Sequence, residues 1–362
     1  MSEVLFFSYS KDMGPLSGLQ RLLLKSLLPD MIATGVSVAI KLHMGELGNI
    51  RYLRPSFVRT VVDMVRKRKG KPFLFDTVTA YPGERRTKEK YLKTAAKNGF
   101  VRASVNAPIL IAGDKDDFRT IPITNPIDGC QLREAKIPNQ LLQSAFMVVL
   151  SHVKGHELTG MGGAVKNLGM GCVSTETKRA QHYVNMPEFK EDSDCNDCGK
   201  CVNVCPNDAI EMIEGKPARS IAECTACGSC YFTCPERCWA WPPGSREKLQ
   251  IYLGHAASAV VSTFTGKIAY VNFIQDVVPL CDCIAKSGKP VVQDVGIAFS
   301  LDPVAIDMAS FDLIDQSPII PGSTTVKPPD ILGKMHDTNS LVQLQTAEKL
   351  RLGSMKYELV SI

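Results

Sequence analysis

Eight of the thirteen cysteines in this 362-residue chain repeat one short spacing. The first copy runs Cys195-x2-Cys198-x2-Cys201-x3-Cys205-Pro206, and the second Cys224-x2-Cys227-x2-Cys230-x3-Cys234-Pro235. Three thiolates so spaced wrap three corners of an iron–sulfur cubane, while the fourth, carried off on the following helix, reaches the other cluster. The spacing predicts two 4Fe-4S clusters, one on Cys195, Cys198, Cys201 and Cys234, the other on Cys224, Cys227, Cys230 and Cys205. CxxC pairs also build tetrahedral zinc sites, but the doubled run ending in Cys-Pro favours iron. Gly199 and Gly228 let the backbone curl around sulfur; Ile210 and Ile221 are expected between the cubanes, with Pro217 at the turn joining the halves. Such clusters carry single electrons at low potential and are oxygen-sensitive, so the expected setting is the reducing cytoplasm of an anaerobic cell.

The other side chains that could do chemistry gather where short apolar runs end. Lys41 and His43 follow one run; Asp76 and Thr77 a second; Ser151, His152, Lys154 and His156 a third; Asp294 closes a fourth. In an open parallel sheet ligands bind beyond the carboxyl ends of the strands, so these groups are expected on one rim. His152 or His156 could move protons, or with His182 ligate a metal. Lys166 could pair with an anion or act as a base. The glycine-rich stretch 155–171, with Gly162 and Gly163 at its centre, could form an amide nest for an anion. It matches neither a Walker A loop nor a dinucleotide fingerprint. Met161, Met170 and Cys172 are soft donors that more often fill cores. Cys281 and Cys283 would point opposite ways on an extended chain, so a shared metal there requires a turn.

Alternating strand and helix patterns are available to position these groups. Residues 36–42, 73–75, 146–150, 268–273 and 291–295 read as strands. Helices are expected from about Pro55 to Lys69 with Gly70 as cap, from Glu84 to Asn98 closed by Gly99, and from Val304 to Gln316 opened by Asp302-Pro303. This is an α/β body with a mostly parallel sheet and helices on its faces. A small α+β ferredoxin-like module is inserted into it, so the expected division is 1–189, 190–241 and 242–362.

Composition is globular, with 44% apolar and 22% charged residues. No apolar run approaches the ~20 residues of a membrane span, and MSEVLFFSYSKDMG has neither a basic n-region nor a small-residue cleavage site, so neither membrane insertion nor export is expected. Residues 188–236 hold ten Asp/Glu against four Lys/Arg, a net of −6, leaving +11 elsewhere in a chain of net +5. An acidic module on a basic body, or a basic surface for anionic substrates, fits that asymmetry. The basic run 66–71 falls at a helix end, where cations favour the dipole, so no nucleic-acid partner is expected.

KLHMGELGN at 41–49, DTVTAYPGERR at 76–86, the segment 151–172 and the stretch from Cys281-Asp282-Cys283 to Asp307 together resemble the family catalogued as domain of unknown function 362. The likeness is greatest to members with an inserted two-cluster ferredoxin module, and runs over about 35–360. It implies iron–sulfur binding, an α/β body and an anaerobic context, without a substrate. The motif residues it carries over are Lys41, His43, Asp76, Arg86, His152, Lys154, His156, Lys166, Asn167, Asp294 and Asp307. The leading expectation is an oxidoreductase that takes electrons from a soluble carrier protein and passes them to a small anionic substrate. In it His152, His156, Lys166, Asp76 and Asp294 are catalytic, and Lys41, His43, Arg86, Lys154, Asn167, Gly162 and Gly163 bind the substrate. The alternative is a non-enzymatic electron carrier or a metallocofactor assembly factor.

Overall fold

In the computed structural model, which describes residues 1–9 and 12–362, eight strands form one sheet: β1 (Ser2–Ser8), β2 (Ser37–Lys41), β3 (Lys71–Thr77), β4 (Ile109–Ala112), β5 (Phe146–His152), β6 (Ile268–Ile274), β7 (Gly296–Ser300) and β8 (Tyr357–Ser361). Their spatial order is β8-β1-β7-β6-β5-β2-β3-β4. All pairings are parallel except those of β7, which runs against both β1 and β6. The mostly parallel α/β sheet expected from the strand–helix alternation is therefore present.

Strand periodicity of two divides the core between the faces. Ala39, Phe73, Phe75, Met147 and Val149 enter one apolar cluster, and Val38, Ile40, Leu74, Val148 and Leu150 the other. Helices α1 (Pro55–Lys67) and α2 (Lys88–Lys97) cover the second face, while α3 (Ala164–Gly171), α4 (Ser245–Ser262) and α5 (Pro303–Gln316) cover the first. Asp302 caps α5, accepting from the amides of Val304 and Ala305. No helix among the described residues is long and apolar enough to cross a membrane.

Three expected elements shift. Helix α1 stops at Lys67 because Lys69, not Gly70, takes the left-handed conformation. Helix α2 begins only after Thr87, whose side chain accepts from the Lys90 amide, so Glu84–Arg86 lie in a turn. Residues 291–295 make a single bridge, Val292 to Ile319, and the regular strand starts at Gly296.

The cysteine runs lie in a segment whose ends meet where Glu188–Phe189 pairs with Trp239–Ala240. Between them stand a hairpin, Ile210–Ile213 with Lys216–Arg219, and two short helices, Lys200–Asn203 and Ser229–Thr233. The hairpin turns at Glu214-Gly215, both left-handed, rather than at Pro217. Ile210 is buried, but Ile221 is 70% exposed and takes no part in this small core.

Candidate functional site

Because β2, β3, β5 and β6 are parallel, their carboxyl ends share one rim, and a cavity of about 300 Å³ opens over it. Lys41, His43, Asp76, His152, Lys154, His156, Lys166 and Asn167 line it, with Gly162 and Gly163. Arg86 and Asp294 do not. Arg86 turns outward to Asp114 at 2.6 Å, and the buried Arg85 takes the interior place. Asp294 is exposed before β7 and accepts from the Asp276 amide.

At the rim, Lys41 Nζ lies 3.0 Å from Asp76 Oδ1 and 2.6 Å from Asn167 Oδ1, with 1% of its side chain exposed. Asn167 in turn donates to Leu150 O and Ser151 Oγ. Tyr91 donates to the second oxygen of Asp76. Burial pushes the Asp76 carboxyl up, but Lys41, His43, Lys178 and the Tyr91 hydroxyl hold it below its usual value. Lys41 and Asn167 thus tie β2, β5 and α3 together. Gly171 allows this contact, since a Cβ there would stand 2.3 Å from Lys41 Nζ.

Lys178, on the helix Thr175–Tyr183, enters the same rim and donates to Thr77 Oγ1 and Val78 O. Burial lowers its pKa to about 7; Asp76 opposes this, while Lys41 and Arg85 reinforce it. Neither Lys178 nor Lys166 makes an ion pair among the described residues.

A second network surrounds Asp282, whose side chain is fully buried. His152 Nδ1 lies 3.2 Å from one oxygen and Lys154 Nζ 3.2 Å from the other. Burial pushes this carboxyl up, but Lys154, His43 and His152 hold it well below the carboxylate range. His152 Nε2 meets the carbonyls of Gln275 and Asp276, so both its ring nitrogens are committed within the protein. His43 is driven to about 3 by burial and by Arg85, against Asp282. Its Nδ1 accepts from the Gly45 amide, and its buried Nε2 has no partner among the described residues.

The turn that the Cys281-Asp282-Cys283 triplet requires does form: Ile284 N donates to Cys281 O, and Cys283 N points at Cys281 Sγ from 3.4 Å. Both thiols face the cavity. Cys283 donates to Cys281, lowering the Cys281 thiol pKa against burial with help from Lys166 and Lys154; Cys283 is correspondingly raised. One ligand atom from each of His156, Cys281 and Cys283 lies within 4.8 Å of the others. Of the three histidines weighed as metal ligands, His156 alone falls in such a donor group among the described residues. Burial, followed by Lys166 and Lys154, holds the His156 pKa well below its usual value, so its ring is neutral.

The amide nest is already filled. Asp307 Oδ1 and Oδ2 accept from Ala164 N at 2.7 Å and Val165 N at 2.9 Å, capping α3. Gly163 is required there because a Cβ would stand 2.3 Å from that carboxylate. The glycines admit a protein carboxylate, leaving anion contacts to the lysines.

A smaller cavity is lined by Cys195, Cys198, Cys201 and Cys234, three residues of the first run and the last of the second. The two runs share backbone conformation. Asp197 and Ala226, Gly199 and Gly228, and Asp208 and Arg237 are all left-handed at matching positions. Cys205 Sγ and Cys234 Sγ each accept from the amide four residues on. Cys230 is pushed up to about 12 by burial against Arg219, and the neighbouring Cys227 and Cys224 add to that rise. The donor set and its spacing fit four-thiolate clusters. Thr225, Ala226, Cys227, Ser229, Phe232 and Trp241 also form part of the large cavity's wall.

The family model described as "Domain of unknown function (DUF362)" matches residues 38–312. No curated protein is detectably similar in sequence. Among solved structures, a Thermotoga maritima protein is similar at a TM-score of 0.38 and 11% identity, over 71% of this chain and 49% of that one. The lactate racemase apoprotein of Thermoanaerobacterium thermosaccharolyticum is similar at 0.37 and 12%, over 76% and 51%. The chain spans about half the length of each.

Proposed function

Because the chain belongs to the DUF362 family, whose description assigns no activity, we propose a function from the site itself: an iron–sulfur oxidoreductase that reduces or oxidises a small anionic compound bound at the sheet rim. The carrying observation is the shared wall of the large cavity, which runs from Lys166 and Lys178 to the loop of Cys227. A ligand held by those lysines lies against the second cysteine run.

Cys195, Cys198, Cys201 and Cys234 would hold one 4Fe-4S cluster, and Cys224, Cys227, Cys230 and Cys205 the other, in an inserted module of about 190–241. When bound, these groups supply single electrons. The chain's own residues do the rest. Lys166 and Lys178 present cationic nitrogens to a carboxylate or phosphate. Asp282 holds Lys154 and His152 in place, and Phe232 and Trp241 provide apolar wall. Lys178, with a pKa of about 7, is the group suited to give or take a proton near neutrality. The acidic 188–236 segment suits a basic patch on a soluble electron-carrying protein in a reducing cytoplasm.

Anoxic reconstitution tests this. The chain should take up about eight irons, and Cys234→Ser should lose the cluster of the first run while sparing that of the second. The dithionite-reduced protein should be reoxidised by one class among a panel of small carboxylates and phosphates, with Lys166→Gln raising the concentration required. Iron uptake unaffected by Cys234→Ser refutes the cluster assignment. Reoxidation by every anion alike, unaffected by Lys166→Gln, refutes the cavity as substrate site.

A further inference from the structure

We propose that His156, Cys281 and Cys283 hold a single borderline divalent transition-metal ion, such as Zn(II) or Fe(II), separate from the iron–sulfur clusters and with its remaining coordination position open to the cavity. The inference deepens the oxidoreductase reading and rests on it for the ligand, but not for the metal.

Thiolate and imidazole donors are the set that zinc and similar ions take up, and three protein ligands with one open position is the arrangement of catalytic rather than structural sites. Donors about 2.3 Å from a tetrahedral ion stand ~3.8 Å apart. The three donor atoms here lie within 4.8 Å of one another before any ion draws them in. Small rotations of side chains would complete the site.

The scaffold holds the three ligands together over a long sequence separation. Gly155 N donates to Val278 O at 2.8 Å, joining the segment Lys154–His156 to the chain leading into Cys281. A Cβ at Gly155 would lie 2.1 Å from Pro279 O, so only glycine permits this backbone approach. His336 Nε2 also meets the Pro279 carbonyl, at 2.6 Å. The turn at Cys281–Ile284 then places both cysteines on the cavity wall, while Asp282 between them is held by His152 and Lys154.

Asp282 therefore anchors the ligand turn without being a ligand. Lys154 and Lys166 line the same cavity as both thiols. A carboxylate or phosphate oxygen of the bound compound could take the open position while Lys166 engages the rest of the anionic group. The ion would act as a Lewis acid polarising the ligand, with no change in its own oxidation state.

The experiment uses the iron–sulfur-loaded chain under anoxic conditions. After incubation with Zn(II) and desalting, it should retain about one zinc with iron and acid-labile sulfide unchanged. Cys281→Ser, Cys283→Ser and His156→Gln should each lose that zinc and keep the iron. Cadmium NMR on the unaltered chain should give one resonance of mixed thiolate and imidazole coordination, a readout independent of how the variants fold. Zinc absent from fully iron-loaded protein, zinc retained by all three variants, or a Cys281–Cys283 disulfide without a retained ion overturns the proposal. Failure of iron uptake with zinc still bound in a Cys281-dependent manner would overturn the cluster reading and leave the metal site standing.

Discussion

Lys41 and Asp76 are 1% and 5% exposed and 3.0 Å apart, a buried ion pair. Removing one member of such a buried pair typically costs ~3–5 kcal/mol, because the survivor is left uncompensated. The two halves are unequal here. In Lys41→Met, Asp76 keeps the Tyr91 hydroxyl and gains relative weight from Lys178, so the cost should fall near ~3 kcal/mol. In Asp76→Asn, Lys41 and Lys178 both lose their carboxylate, and the cost should approach ~5 kcal/mol at neutral pH. The double variant leaves no broken pair and should fall short of the sum by about 2–3 kcal/mol, a coupling within the range for contacting residues. Anoxic urea denaturation followed by far-ultraviolet circular dichroism measures this, compared at constant denaturant slope. Tryptophan fluorescence is the wrong probe, because both tryptophans, Trp239 and Trp241, stand beside the cysteine runs rather than in the sheet. Additivity within ~0.5 kcal/mol would refute the pair as the unit that closes the rim.

Two pH dependences follow from the same cavity. The Lys178 pKa is lowered to about 7 from 10.5, so between those values the unfolded chain binds a proton that the folded chain has released. Its contribution makes stability rise with pH across that window, by at most ~1.4 kcal/mol per unit, and Lys178→Met should remove this slope in urea midpoints taken from pH 7 to 9. Asp307 behaves in the opposite sense: burial raises its pKa to about 6 from 3.8 despite the Ala164 and Val165 amides, so the folded chain holds the extra proton. Its contribution makes stability fall as pH rises from about 4 to 6, by ~3 kcal/mol in all. Asp307→Asn should flatten that segment of the profile, and an unchanged profile would remove Asp307 as its source.

The sheet was readable because a strand buried on both faces announces itself locally, as residues 146–150 do. Rim placement followed from parallel pairing. What escaped depends on tertiary contact. Arg85 and Arg86 are indistinguishable as sequence, and only the turn before Thr87 decides which one faces inward. Lys178 belongs to a polar helix, TETKRAQHY, that carries no signal of burial, yet Thr175, Thr177, Lys178 and Gln181 are all buried, Lys178 at the rim. The triplet at 281–283 looked divergent because alternation assumes an extended chain; the turn reverses it. The proximity of His156, 125 residues earlier, has no local signature other than Gly155, whose missing side chain permits the backbone contact.

The proposal of an anionic ligand rests on the cavity's charge balance. Five cationic side chains line it, Lys41, Arg85, Lys154, Lys166 and Lys178, against three carboxylates, Asp76, Asp282 and Glu157. Asp76 is taken by Lys41 and Asp282 by Lys154, while Arg85 reaches past the wall to Glu46 at 3.1 Å. Lys166 and Lys178 are left without an ion pair among the described residues, and Glu157 Oε2 is buried without a hydrogen bond. Unpaired buried charge is costly, and the depressed pKa of Lys178 is that cost expressed as proton release. In the proposed reading, an entering carboxylate or phosphate would favour the protonated form of Lys178 and so raise its pKa. A neutral compound of the same shape would have no such effect, which makes charge rather than volume the first discriminator at this site.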